Sequence, residues 1–411
     1  MIKKGGLIFL ILILLTSFLI SGTSNRALEN SAYVVALGID AGDNNLIKLT
    51  FQFASPSGNS KSGSNSSSSQ SDSSSITTIE CSSIDSGISL MNSYMTKKVN
   101  LSHCKAIVIS QTLAYSGVSE YISTLMNHPE VRPLCNVIIS KCDASDFLNN
   151  SKPMLETVSA RYYELILTSS QYVGYSENVL LSDFYSNILD TSQEAIAILG
   201  GINSDGTHLT NVNLPPYDID SSYTASESPI KNETSLENLG LAVFTGDKLI
   251  GELTGMDTIC HLIITNNLNM ATISIPSPFS NSSTISLYIS LNKKTKNSIS
   301  FLNGFPYIAS KIYVSANILS LDDNIDYTKS NNLKLIEDNL NTYLTSKIYD
   351  YLYATSKVYK SDISGFGKLA RRHYLTTQDW ESSFWLSNYQ NTFFSVEVSS
   401  TINSSYLFNK T

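Results

Sequence analysis

Residues 105–110 read KAIVIS, an unbroken apolar run of Ala106, Ile107, Val108 and Ile109 closed by a serine. A run this short, with β-branched residues at its centre and no alternation, suits a strand covered on both faces. On its N-terminal side, Ile88, Met91, Tyr94 and Met95 fall at helical spacing within residues 85–95, and residues 118–127 form a second helical segment after it. Strand-like segments at 76–81 and 137–140 lie further out. Strand and helix therefore alternate, which predicts a mixed α/β layer with helices packed on a sheet.

Towards the N-terminus, residues 33–39 (YVVALGI) and 46–54 (LIKLTFQFA) flank a turn-forming stretch from Asp40 to Asn45, a hairpin signature. Asp40 and Asp43 do not make a calcium loop, because no acid stands at the later position that an EF-hand requires. Residues 55–75 are nearly all Ser, Asn and Gly, which bury nothing. This stretch reads as a mobile loop inside the first domain, since the strand pattern resumes directly after it.

Towards the C-terminus, residues 143–202 read as helical, most clearly at 159–168 and 181–189, and 203–239, with Pro215-Pro216, reads as irregular. Residues 241–244 and 248–253 surround Thr245-Gly246-Asp247 as a second hairpin, and 256–265 is a helix. Residues 284–291 and 311–319 alternate apolar and polar, as half-buried antiparallel strands do. In the long helix expected at 332–357, Leu333, Ile336, Leu340, Leu344, Ile348, Tyr351 and Leu352 share one face, and Phe394, Val396, Val398 and Ile402 then alternate again. The fold class is thus α/β in the mixed α+β sense, with several domains. The expected division is an N-terminal mixed α/β domain at 23–145, a middle domain at 146–265 that carries the hairpin at 240–253, and a C-terminal α/β domain at 266–411.

Residues 1–22, MIKKGGLIFLILILLTSFLISG, stand apart. Lys3 and Lys4 precede an apolar run from Leu7 to Ile20, and Ser21-Gly22 supplies small residues, the pattern of an export signal. Spanning hydrocarbon takes about 20 residues, so the run is either a cleaved signal or, with its flanks counted, a membrane anchor. Either way the remaining chain is expected outside the cytoplasm, at a membrane surface.

Composition narrows the function further. The 411 residues are 42% hydrophobic, which excludes global disorder, and only 15% charged, against about 25% in typical domains. The formal charge is −8, and −10 without Lys3 and Lys4. A body this acidic repels phosphate backbones, so nucleic acid is not an expected partner. The five cysteines are odd in number with no CxxC, and the five histidines show no paired spacing, so neither a disulfide framework nor a zinc site is expected. There is no GxSxG, HExxH or Walker A sequence, and Ser364-Gly365-Phe366-Gly367 follows a helix, not the strand that a phosphate cradle needs. No enzyme activity and no cofactor follow from these residues. Lys368, Arg371, Arg372 and His373 form a basic cluster, suited to a solvated face or to a contact with an acidic partner or lipid headgroups.

Several unlinked stretches share one pattern. They are the leader followed by Ala27-Leu28-Glu29; Ala36-Leu37-Gly38-Ile39-Asp40; Leu101-Ser102-His103 entering KAIVIS; and His128-Pro129-Glu130-Val131-Arg132. The hairpin Gly240-Leu241-Ala242-Val243-Phe244 with Asp247-Lys248-Leu249-Ile250-Gly251 follows, then Ser361-Asp362-Ile363-Ser364-Gly365-Phe366-Gly367 with Trp380 and Phe384. In this order the chain resembles the Ger(x)C family, the C subunits of nutrient germinant receptors of endospore-forming bacteria. The resemblance implies three mixed α/β domains on the outer face of the inner spore membrane, association with a membrane-embedded A subunit and a transporter-like B subunit, and no catalysis.

Two departures stand out. Thr23 occupies the place of the lipobox cysteine, and without a thiol no thioether lipid forms there, so an uncleaved N-terminal anchor is expected instead. The segment between His373 and Trp380 is shorter than the family pattern and lacks its proline. Phe366, Arg371, Arg372, Trp380 and Trp385 are the candidate partner contacts, as aromatic and arginine side chains that interfaces favour. Trp380 and Phe384, four residues apart, also suit a core. The leading function is an exported, membrane-tethered receptor subunit acting through protein contacts. An exported solute-binding or wall-associated protein is the alternative, and a secreted hydrolase with residues converging only in space is a third.

Overall fold

The structure, a computed structural model, describes residues 30–54, 74–151, 159–168, 170–203, 214–230, 235–280, 283–321 and 329–403. Residues 1–22, expected to form an export signal or anchor, Thr23 and most of the Ser-rich stretch lie outside the described residues.

The chain begins with β1 (Ser31–Ala41), β2 (Ile47–Ala54) and β3 (Ser74–Cys81), then α1 (Ile84–Tyr94), the short β4 (Lys98–Asn100) and β5 (Ala106–Ser110). Next come α2 (Gln111–Ser116), α3 (Ser119–Asn127), β6 (Asn136–Ser140) and α4 (Ala144–Asn149). Helices α5 (Ser159–Thr168), α6 (Ser170–Val173) and α7 (Leu181–Leu189) lead to β7 (Ile196–Asn203), α8 (Pro216–Ile219), β8 (Ser235–Thr245) and β9 (Lys248–Leu253). All nine strands belong to one sheet, ordered β3-β2-β1-β5-β6-β7-β8-β9, with β4 paired to β1. The inner strands β1, β5, β6 and β7 run parallel, and an antiparallel hairpin closes each flank. Every residue of β5 is buried, as its unbroken apolar run requires.

Strand β7 corrects the helical reading of residues 143–202. Its sequence, IAILGGIN, is apolar without alternation because both faces are covered, and such a run carries no period to separate strand from helix. The stretch 203–239 is likewise less irregular than expected, since α8 and the first residues of β8 fall within it. The hairpin at 240–253 extends the first sheet and does not begin a sheet of its own.

Helix α9 (Gly255–Thr265) follows. Thr254 caps it, accepting from the Asp257 N–H at 3.2 Å while Asp257 accepts from the Thr254 N–H at 3.1 Å, and Asn266 ends it in a left-handed conformation. Nine of its residues are buried, so α9 has no solvent face. It packs against β8 of the first sheet and β11 of the second. The second sheet is β10 (Ala271–Pro276), β11 (Thr284–Leu302), β12 (Phe305–Leu321) and β13 (Phe393–Asn403), in that order. Strand β10 is an addition to the three strands expected here.

Helix α10 (Ser330–Tyr353) continues through a π turn at Ala354–Val358 and buries Ile336, Leu340, Leu344, Ile348, Tyr351 and Leu352, the face read from its spacing. Short helices α11 (Gly367–Ala370), α12 (Thr377–Ser382) and α13 (Trp385–Asn388) precede β13, which pairs parallel to β12. One continuous apolar core runs through both sheets.

The free edge of β13 is covered by side chains of α10. The N–H groups of Val396, Ser400 and Ile402 donate to the Tyr349 hydroxyl (3.1 Å), Asn341 Oδ1 (2.7 Å) and Glu337 Oε1 (2.8 Å). An uncovered edge is a template for another chain, and these three acceptors occupy it. Asn341→Ala is expected to cost about 1–2 kcal/mol in chemical denaturation, through the orphaned Ser400 N–H. Combined with Glu337→Ala it is expected to add concentration-dependent association, measured by light scattering.

Candidate functional site

The junction between the sheets is organised around one carboxylate. After α10, the chain turns at Ser361–Gly367, where Asp362 is completely buried. Its carboxylate accepts from the Phe366 N–H (3.0 Å), the Gly367 N–H (2.7 Å) and Trp385 Nε1 (2.8 Å). Successive backbone N–H groups converging on an anion form a nest. Ser364-Gly365-Phe366-Gly367 is therefore an anion cradle, and the anion is the chain's own. Gly365 supplies the left-handed backbone (φ 70°), and a Cβ at Gly367 would run into the Ser192 carbonyl and the Trp385 indole nitrogen.

The same turn fastens onto the first sheet. The Asp362 carbonyl accepts from the Glu194 N–H (3.1 Å), Ser361 Oγ donates to the Phe244 carbonyl (2.7 Å), and Gln193 Nε2 donates to the Ile363 carbonyl (3.2 Å). Tyr359 adds a hydroxyl bond to the Glu252 carbonyl at 2.7 Å. Glu194, also buried, accepts from the Gly246 N–H at 2.7 Å. Burial pushes its carboxyl up to about 7, helped by the nearby Asp362 charge and opposed by the Gly246 bond. Burial likewise pushes Asp362 up to about 6 against the pull of its donors.

Beside this junction lies a cleft of about 490 Å³ between the two sheets, lined by Glu177, Asn187, Gln193, Asn266, Asn297 and Lys368 among others. Buried His261, on α9, forms its floor. His261 Nε2 sits 3.1 Å from Glu177 Oε2, and Nδ1 sits 2.7 Å from the Tyr351 hydroxyl, which in turn lies 2.7 Å from Ser364 Oγ. Burial raises the Glu177 carboxyl, but His261 and Asn267 outweigh it and hold the group below its ordinary range. Burial drives the Tyr351 hydroxyl far above its usual value, so the ring stays protonated. This chain contains a carboxylate, an imidazole and a serine, the groups of an acyl-transfer triad. The geometry is wrong for that chemistry, because a neutral tyrosine separates the imidazole from the serine. The chain of contacts ties α9, α10 and the Asp362 turn together.

Three of the five candidate contacts are interior. Phe366, Trp380 and Trp385 are at most 3% exposed, which corrects the expectation that they face a partner. They form one aromatic cluster with Tyr389, in which Trp380 stacks on Trp385 at 6.2 Å and Phe366 on Tyr389 at 6.4 Å. Each indole also has an internal acceptor, Thr191 Oγ1 for Trp380 (2.9 Å) and Asp362 for Trp385. Arg371 and Arg372 are exposed. Phe384 is 69% exposed, because α12 ends at Ser382 and Phe384 turns left-handed (φ 46°), so its helical relation to Trp380 does not hold. Four cysteines are buried and Cys142 is half-buried, all as free thiols, and among the described residues no cluster of metal-ligating side chains is present. Asp362, Glu194, Glu177 and His261 were not marked out by the sequence. Only Asp362 leaves a local trace, as an acid just ahead of the Gly365-Phe366-Gly367 turn.

Comparison with known families gives two matches in order along the chain. The spore germination protein N-terminal domain matches residues 24–200, and the spore germination B3/GerAC-like C-terminal domain matches residues 239–406.

The chain belongs to the Ger(x)C family of spore germination proteins.

It is 22% identical over 389 residues to the "Putative spore germination protein YfkR" of Bacillus subtilis (strain 168), covering 92% of each chain. A crystal structure of the GerBC protein aligns with 89% of this chain and 96% of its own, at 16% identity and a TM-score of 0.49.

Several of the stretches that carry the Ger(x)C resemblance share one device. Asp40 accepts from the Ala144 and Ser145 N–H groups (2.6 and 3.0 Å) at the start of α4. Glu130 accepts from the Leu101 N–H (3.2 Å), and Asp247 from the Ser119 N–H (3.3 Å). Asp362 is the most buried case. In each, a carboxylate closes on backbone donors from a distant or turning segment.

Because Asp362 and Glu194 bind their protons more tightly folded than unfolded, the unfolded chain releases them first as pH rises from about 4. Stability conferred by the protonated forms is therefore lost as pH climbs through about 6 and about 7. Glu194→Gln is expected to raise stability by about 1–3 kcal/mol at pH 8 and to change it little near pH 4. Chemical denaturation across that range reads the difference.

Proposed function

We propose that this chain is the C subunit of a nutrient germinant receptor, exported and held at the outer face of the spore inner membrane by an uncleaved leader. It acts without catalysis, through contacts with the membrane-embedded A and B subunits. The observation that carries this reading is the match of both Ger(x)C domains, in order, over nearly the whole chain after the leader. Among the described residues no helix is long and apolar enough to cross a membrane, so attachment is assigned to the leader. The interlocked junction supports a coupling role. Segments from both sheets share α9, the Asp362 turn and the His261 contacts, so a displacement at one sheet is felt at the other. A ligand or partner shifts such a body only through different affinities for its states.

The cleft favours a second reading, an exported solute-binding protein. Its volume lies within the range of small-molecule sites, about 300–1,000 Å³. Its lining is mostly polar, with amides the commonest side chains, unlike the mostly apolar walls of such sites.

Deleting the chain in its host, with any paralogues also removed, is expected to abolish or delay germination in at least one nutrient while sporulation proceeds. Unchanged germination in every nutrient tested would remove the receptor role. Chain extracted from spore membranes is expected to retain residues 1–22, and N-terminal sequencing that begins at Thr23 would rule out the uncleaved anchor.

A further inference from the structure

At one end of the second sheet the apolar pattern turns outward. Leu302 and Phe305 flank the Asn303-Gly304 turn between β11 and β12, and both are about half exposed (57% and 49%). Phe393, at the start of β13, packs edge-on to Phe305 with ring centres 6.3 Å apart. Phe301 meets His373 (5.8 Å) and Tyr374 (6.3 Å), and a recess lined by Phe301, Phe305, Tyr374 and Ser383 joins the turn to α12. Next to that recess in sequence stand Leu375, fully exposed, and Phe384. Five large apolar side chains thus project from a single end of the molecule.

This same end is basic in an acidic protein. Lys368, Arg371, Arg372 and His373 are exposed beside Tyr374, and the Lys357 ammonium lies 5.8 Å over the Phe393 ring. No ion pair among the described residues neutralises Arg371 or Arg372. Asp379 and Glu381 are the exposed acids of the stretch. Apolar tips ringed by cations fit the interface of an anionic bilayer, where the tips enter the headgroup boundary and the cations meet lipid phosphates.

The topology puts the chain's entry at the same end. Strands β1, β5, β6 and β7 are parallel, with Ala36 level with Ala106, Ala106 with Asn136, and Ile138 with Ile198. Their starts therefore share one end of the first sheet, where Ser31 opens β1 and Thr191 precedes β7. Trp380, which supports the exposed stretch, bonds to Thr191. Three strand spacings of about 4.8 Å separate β1 from β7, roughly 15 Å.

We propose that this end of the second sheet seats on an anionic bilayer, with Leu375 and Phe384 entering the headgroup region and Lys368, Arg371 and Arg372 against the phosphates. The proposal rests on the tethered reading of the leader, which brings this end to the membrane. The seat fixes the orientation of a body that a leader alone would leave free to rotate.

The test uses the full-length chain reconstituted in vesicles of phosphatidylcholine with or without phosphatidylglycerol. Leu375→Cys, in a Cys142→Ser background, carries an environment-sensitive fluorophore, and Leu90→Cys on α1 is the control position. Emission at 375 is expected to rise and shift to the blue in phosphatidylglycerol vesicles, to be quenched by nitroxide lipid, and to fall back with Arg371→Glu and Arg372→Glu. Position 90 is expected to stay unchanged. Unchanged emission at 375 from chain that floats with the vesicles would overturn the seat alone, as would an equal rise at 90 or in neutral vesicles. A rise that appears only when host membrane proteins are added points to a protein occupant and overturns it too. Chain that fails to float with either vesicle overturns the tether and the seat together.

Discussion

The carboxylate of Asp362, buried with no cation beside it among the described residues, is the constraint on which the junction depends. A charge in a dry interior is tolerated only when donors surround it, and here two backbone N–H groups and one indole do so. Each donor demands something of its surroundings. The backbone pair needs the left-handed Gly365 and a residue without a side chain at 367, and the indole needs Trp385 held in the aromatic cluster. The turn so fixed presents Ser361, Asp362 and Ile363 to Phe244 of β8 and to Glu194 and Gln193 just ahead of β7. The partial neutralisation that these bonds provide is incomplete, as the upward displacement of both acids shows.

Much of the fold was legible because periodicity survives wherever one face is wet. Strands β11, β12 and β13 and helix α10 announce themselves by alternation or by a single apolar stripe. Strand β7 did not, since a strand covered on both faces has no period to read. The site was far less legible. Glu194 finds Gly246 across 52 residues, and Glu177 meets His261 across a still longer interval, so no local spacing marks either. The tryptophans misled for a different reason. Their residue type suits interfaces, but an indole with an internal acceptor is equally at home inside, and only the fold shows that Thr191 and Asp362 are those acceptors.

The family matches and the geometry illuminate one another at the Ser361–Gly367 turn. A Gly-rich loop invites the thought of a bound phosphate, and the structure shows instead a cradle occupied by its own acid. The same logic recurs at Asp40, Glu130 and Asp247, where family-like segments carry acids that clasp backbone donors. In a chain with only 15% charged residues, these acids serve as fasteners more than as surface charge. That economy fits a scaffold that holds its segments in one arrangement.

Helix α9 has a further consequence for how the molecule is made. It is covered by strands on both sides, and the hairpin just before it completes the first sheet, so the N-terminal half cannot finish its interior until residues up to about 265 have emerged. A polypeptide threaded across a lipid barrier from its first residue onward would meanwhile display the bare flank of β7, awaiting a partner strand still on the other side. Under the export proposed above, passage must outrun clumping, or a holding factor must shelter that flank until the closing hairpin arrives.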